Sequence, residues 1–100
     1  MKILATEKDV PGITSEHFKP YLRAEAQSVW ELYQSGVFRE CYYREDHSNA
    51  VIILECSNLV EAQNILNTLP LVKEKLIKFE MIPLKPYPGF SRLFAKETSE

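Results

Sequence analysis

The segment Ala50-Val51-Ile52-Ile53-Leu54 has no polar face. Side chains alternate across an extended strand, so Ala50, Ile52 and Leu54 project to one side and Val51 and Ile53 to the other. Such a strand belongs in the interior of a sheet with cover on both faces. Whatever this chain folds into must supply two covers.

The flanking sequence supplies one of them. Lys2–Glu7 reads as a first strand, closed by the turn signal Pro11-Gly12. Ser15 is the expected N-cap of a helix whose apolar residues, Phe18, Leu22, Ala26, Val29, Leu32 and Tyr33, recur every three or four positions. Pro20 makes its first turn irregular, and Gly36 ends it as a residue free to turn left-handed. Trp30 is expected in the core or an interface. Val37–Glu45 and Asn49–Cys56 then form a hairpin around a polar turn. Asn58 caps a second helix with the stripe Leu59, Ala62, Ile65, Leu66 and Leu69, limited by Pro70. In the last strand, Ile77, Phe79 and Met81 should face the helices, and Lys78, Glu80 and Ile82 the other way.

The order β-α-β-β-α-β predicts one α+β domain over residues 1–100, with the ferredoxin-like arrangement of an antiparallel sheet and both helices on one face. The second face of the sheet then stays apolar and open, and a second copy packed sheet to sheet would cover it. A homodimer is the expectation. The tail from about residue 85, with Tyr87, Phe90, Leu93 and Phe94, is too apolar to hang free and should dock on the partner or close a pocket. The last residues, 96–100, are expected to be disordered.

Charge and composition exclude several functions. A formal net charge of −2, with the basic residues scattered, gives no footprint for nucleic acid or for an acidic membrane surface. The N-terminal apolar run is too short for a signal peptide or a membrane span, so a cytoplasmic location is expected. Cys41 and Cys56 fall several residues out of register and should be buried free thiols. No metal-ligand spacing, glycine-rich phosphate loop or nucleophile elbow is present, so no metal or cofactor is expected.

Five residues stand out as candidates for chemistry. Glu80, if held between apolar walls, would lose hydration and become an acid or base near neutral pH. Arg44 could hold a substrate carboxylate in a bidentate fork. Tyr43 could line the same pocket. His47, in the hairpin turn, has the ring chemistry of a proton shuttle, as does His17 at the helix start. Ile52, Leu54 and Ile82 would provide the apolar lining.

The strings SGVFRECYYRE, VIILECSN, NTLPL and FEMIPLKPYP occur here in an order and spacing that resembles the muconolactone isomerase family. The likeness runs over roughly residues 25–88. It rests on the Ser35-Gly36 helix end, the aromatic-Arg pair Tyr43-Arg44, Leu69-Pro70-Leu71, and a strand carrying Glu80 and ending in Pro83-Leu84. The resemblance implies a dimeric α+β barrel and a small-molecule ligand. It also implies a cofactor-independent proton transfer that moves a double bond within a small unsaturated lactone. A ligand-binding or structural barrel without turnover, and a cofactor-independent monooxygenase, remain open on the same architecture.

Overall fold

The computed structural model describes residues 1–94, so the expectation for residues 96–100 lies outside the described residues. Strand β1 (Lys2–Asp9) pairs antiparallel with both β3 (Ala50–Glu55) and β4 (Ile77–Leu84), while β2 (Phe38–Tyr43) pairs with the outer side of β3. The sheet order is β2-β3-β1-β4, which is the ferredoxin-like order. The apolar segment of β3 thus has a neighbour on each edge. Between the strands run α1 (Ser15–Phe18), a 3-10 turn (Lys19–Tyr21), α2 (Leu22–Gln34), α3 (Leu59–Leu66) and α4 (Pro70–Lys73); a second 3-10 turn (Pro88–Leu93) follows β4.

Two helix boundaries differ from the sequence expectation. The first cap is Thr14, not Ser15. Its backbone N–H donates to Nδ1 of His17 at 2.9 Å, while the His17 N–H donates back to the Thr14 carbonyl at 3.0 Å. This reciprocal box gives His17 a structural task. Pro70 does not end the second helix, which stops at Leu66; it opens α4. A proline lacks the N–H that the first helical position leaves unpaired, and its fixed φ suits that position.

The pleat assigns every strand residue to a face. Ala5 stands opposite Ile52 and Met81, so these share a face with Ile3, Leu54, Ile77 and Phe79 under the helices. There Ile3, Ala5, Phe38, Ile52, Leu54, Ala62, Leu66 and Leu69 form the buried core. Leu4 stands opposite Ile53 and Ile82, and Thr6 opposite Val51 and Glu80; these look away from the helices. Ile52 and Leu54 therefore cannot share a lining with Ile82, because alternation sends them through opposite faces of the sheet. The expectation of two buried thiols also fails. Cys41 is exposed, because β2 is an edge strand with no neighbour beyond it; Cys56 is half-buried, and its Sγ donates to the Asn58 carbonyl at 3.3 Å. Both are free. Among the described residues no helix is long and apolar enough to cross a membrane.

The β1–β3 ladder stops at Thr6 and Val51, while β1 continues to Asp9 beside β4 alone. Side chains take over the backbone groups that this divergence frees. The Ala50 N–H donates to Oε1 of Glu7 at 3.0 Å, and Nδ2 of Asn49 donates to the Glu7 carbonyl at 3.2 Å and to Oδ1 of Asp9 at 3.1 Å. Asn49 is the one buried polar residue among those described. Asn49→Ala should lower stability by about 1–2 kcal/mol, since it removes two hydrogen bonds donated by a buried side chain; urea unfolding monitored by Trp30 fluorescence measures this.

Candidate functional site

The two long helices cover the sheet unequally. Helix α3 packs closely through Ala62 and Leu66, both fully buried. Helix α2 buries no residue, although Val29 and Leu32 touch the core. Trp30 and Tyr33, whose rings stack at 6.1 Å, remain half exposed along it. The stripe expected to be core is instead one wall of a cavity of about 710 Å³ between α2 and the sheet.

The opposite wall is the sheet face formed by Glu7, Cys41, Tyr43, Ala50, Ile52, Ile77 and Phe79, with Leu71 from α4 at one end. The lining is largely apolar and aromatic, with a small number of polar groups, as ligand cavities generally are. Three of those groups are carboxylates; Glu40 is exposed and accepts the Tyr42 hydroxyl, whereas Glu7 and Glu25 are partly buried. Glu7 lies on the inward parity of β1, after Ile3 and Ala5. Glu25 lies on the apolar stripe of α2, one turn after Leu22 and one turn before Val29.

Both carboxyls are held in place and both are perturbed. Oε1 of Glu25 accepts the Leu71 N–H at 2.9 Å, and Oε1 of Glu7 accepts the Ala50 N–H. Desolvation is the largest influence on each and raises its pKa above the ordinary value of 4.5. The accepted backbone hydrogen bonds pull the other way. Asp9 raises Glu7 further, His47 opposes this, and the charge of Glu7 adds to the rise at Glu25. On the same wall, desolvation pushes the Cys41 thiol up, which keeps it protonated rather than nucleophilic.

Of the residues selected for chemistry, Tyr43 alone lines this cavity, and of the expected apolar lining Ile52 does, while Leu54 and Ile82 do not. Glu80 lies on the opposite face of the sheet, 60% exposed, with Nζ of Lys8 at 3.6 Å from its Oε2. Arg44 grips Asp46 through two hydrogen bonds, Nε to Oδ1 at 2.9 Å and Nη2 to Oδ2 at 2.6 Å. His47 approaches the same Asp46, Nδ1 to Oδ1 at 3.1 Å. Arg44 and His47 thus share Asp46 at the hairpin, and neither pairs with Glu80. Glu7 and Glu25 were legible only as charges at inward positions of a strand and a helix. Among the described residues no three His, Cys, Asp or Glu side chains gather as a metal site.

No family model matches this sequence, and no curated protein matches it. Solved structures do. A crystal structure of muconolactone isomerase superposes with a TM-score of 0.73 at 15% identity, covering 100% of this chain and 98% of that one. The fold is that of muconolactone isomerase. A 5-chloro-2-hydroxyhydroquinone dehydrochlorinase from Burkholderia phenoliruptrix, in complex with 2,5-dihydroxybenzoquinone, superposes at 0.69 with 17% identity, over 85% of this chain and 94% of that one. The muconolactone isomerase fold is therefore similar along nearly its whole length, while the sequence has diverged.

The raised carboxyls fix a direction for pH dependence. Each binds its proton more tightly folded than unfolded, so its stabilising contribution is complete below about pH 4.5 and is lost as pH rises through the raised folded value. Replacing both, Glu7→Gln with Glu25→Gln, keeps a carbonyl acceptor for each N–H and removes the ionisation. Thermal melts from pH 4 to pH 7 should show a flatter profile in the double variant than in the wild type.

Proposed function

We propose that the cavity between α2 and the sheet binds a small unsaturated, oxygenated ring, a lactone or carboxylated metabolite. There the protein moves a proton within it without a cofactor. The observation that carries this is the pair Glu7 and Glu25, two partly desolvated carboxyls from different elements facing one apolar cavity. Interaction between the pair favours one ionised member and one protonated member, which provides a base and an acid together. The base removes a proton from carbon next to a carbonyl, leaving a dienolate. The acid returns a proton at the far end of the conjugated system, so the double bond shifts and no atom is gained or lost. Tyr43 on the wall would donate to the enolate oxygen. The likeness to muconolactone isomerase, and to a dehydrochlorinase holding a quinone, supports a small ring as ligand.

A second reading has an observation of its own. Both carboxyls accept backbone hydrogen bonds and so also serve the fold, as they would in a binding protein without turnover. Glu25→Gln separates the two, because it preserves the acceptor and abolishes proton transfer. On muconolactone, followed by ultraviolet absorbance, it should cost roughly 10²–10⁴-fold in kcat with the melting temperature unchanged or higher. No turnover of any unsaturated lactone by the wild type would leave the binding protein as the reading.

Self-association completes this proposal. The open face carries Leu4, Val51, Ile53, Ile82 and Leu84 in register beside the Lys8–Glu80 pair. Beyond it Tyr87, Phe90, Leu93 and Phe94 stand exposed, with the Tyr87 ring folded over Gly89 and edge-on to Phe90 at 5.1 Å. The chain exposes 7502 Å², against about 5,800 Å² for a compact monomer of this mass. A second copy packed sheet to sheet would bury Glu80, making it a further candidate base, and would receive the aromatic arm. Light scattering after size exclusion should give twice the 11.6 kDa chain mass, and Ile82→Lys should return the single mass. A monomeric wild type would remove the sheet-to-sheet assembly.

A further inference from the structure

Arg39 was not singled out by its sequence, and a break in strand pairing explains where it goes. Along β2 and β3, Phe38 pairs with Leu54 and Glu40 with Ile53, so Arg39 is the extra residue of a bulge. A bulge re-aims the side chain of its extra residue, and here Arg39 joins the cavity lining. Its Nε donates to the Gly36 carbonyl at 2.5 Å, which ties the guanidinium to the C-terminal end of α2. Among the described residues the terminal amino groups have no hydrogen-bond or ion-pair partner. Arg44 differs in that its fork is already occupied by Asp46.

Among the described residues Arg39 is also the only cation of the lining. Phe38 shares the β3 register of Ile3, and Tyr43 that of Ala50 beside Glu7, which places the bulge about 12 Å along the strand direction from Glu7. Side chains reaching inward from both ends leave room for one small ring between them. We propose that Arg39 is the anion anchor of the cavity: it holds the carboxylate of a ring-bearing acid at the mouth and turns the ring toward Glu7 and Glu25. This rests on the cavity being the ligand site. It specifies which end of the ligand enters last, and it assigns the carboxylate to Arg39 rather than to Arg44.

The test compares benzoate with benzamide, which share shape and differ in charge, by calorimetry and by Trp30 fluorescence on the full chain. Wild type should bind both, benzoate more tightly. Arg39→Gln keeps an N–H donor for the Gly36 carbonyl and removes the charge; it should weaken benzoate by about tenfold and leave benzamide within about twofold. Arg39→Lys should recover part of the benzoate affinity, as a point charge without the fork. Equal losses for both probes in Arg39→Gln would mean a structural role and overturn the proposal. So would a benzoate loss on Arg44→Met that Arg39→Gln does not show. Benzamide binding without benzoate binding in the wild type overturns the anchor alone. If neither probe binds, the cavity itself is not the ligand site and both proposals fall.

Discussion

Helix α2 is tied to α4 at its N-terminal half and reaches the core only toward its C-terminal half, and the cavity opens between it and the sheet. At its N-terminal half, Glu25 accepts the Leu71 N–H, and the hydroxyl of Tyr21, just before the helix, donates to Glu74 at 3.4 Å. These ties fasten the helix to α4 instead of pressing it onto the strands. At its C-terminal half, Val29 and Leu32 reach the core, and Gly36, at φ 84°, turns the chain into β2. Toward the cavity the helix presents the broad rings of Trp30 and Tyr33 where α3 presents Ala62. A small residue lets a helix approach a sheet; a row of large ones spans a gap.

That geometry gives the same few groups two tasks. Glu25 supplies α4 with the acceptor its own residues lack, since no side chain caps that helix. Glu7 supplies Ala50 with the acceptor lost where β3 leaves β1. Each carboxyl is thereby fixed in position at a cavity wall, and the backbone hydrogen bond offsets part of the desolvation that raises its pKa. Structural tethering and chemical readiness are not alternatives here, because a positioned carboxyl is what proton transfer requires.

Much of the architecture was legible because hydrophobic period and turn chemistry agree along the chain. Ile77, Phe79 and Met81 alternate with Lys78, Glu80 and Ile82, and the structure sends the two sets to the two faces expected. Gly36 ends its helix as expected. The departures have local causes. Thr14 takes the cap because His17, three residues on, can complete its box. Cys41 is exposed because β2 is an edge strand, which nothing in its own sequence marks. The candidate site was less legible. Charge attracted attention to Glu80 and Arg44 on exposed positions, and each has found a neighbouring counter-charge, Lys8 and Asp46.

The sequence by itself determined the order of elements, the two-faced apolar strand at the centre and the parity of every strand residue, because these depend on local periodicity. Only the tertiary structure decided that an amphipathic stripe would line a void rather than fill a core. Periodicity reports which side of a helix is apolar, not how far that side stands from its neighbour. It likewise decided that Glu7, Glu25 and Arg39 share one cavity. That meeting depends on where β3 parts from β1, on the Leu71 hydrogen bond and on a single bulge, all of them contacts between residues far apart in the chain or irregularities that no period announces.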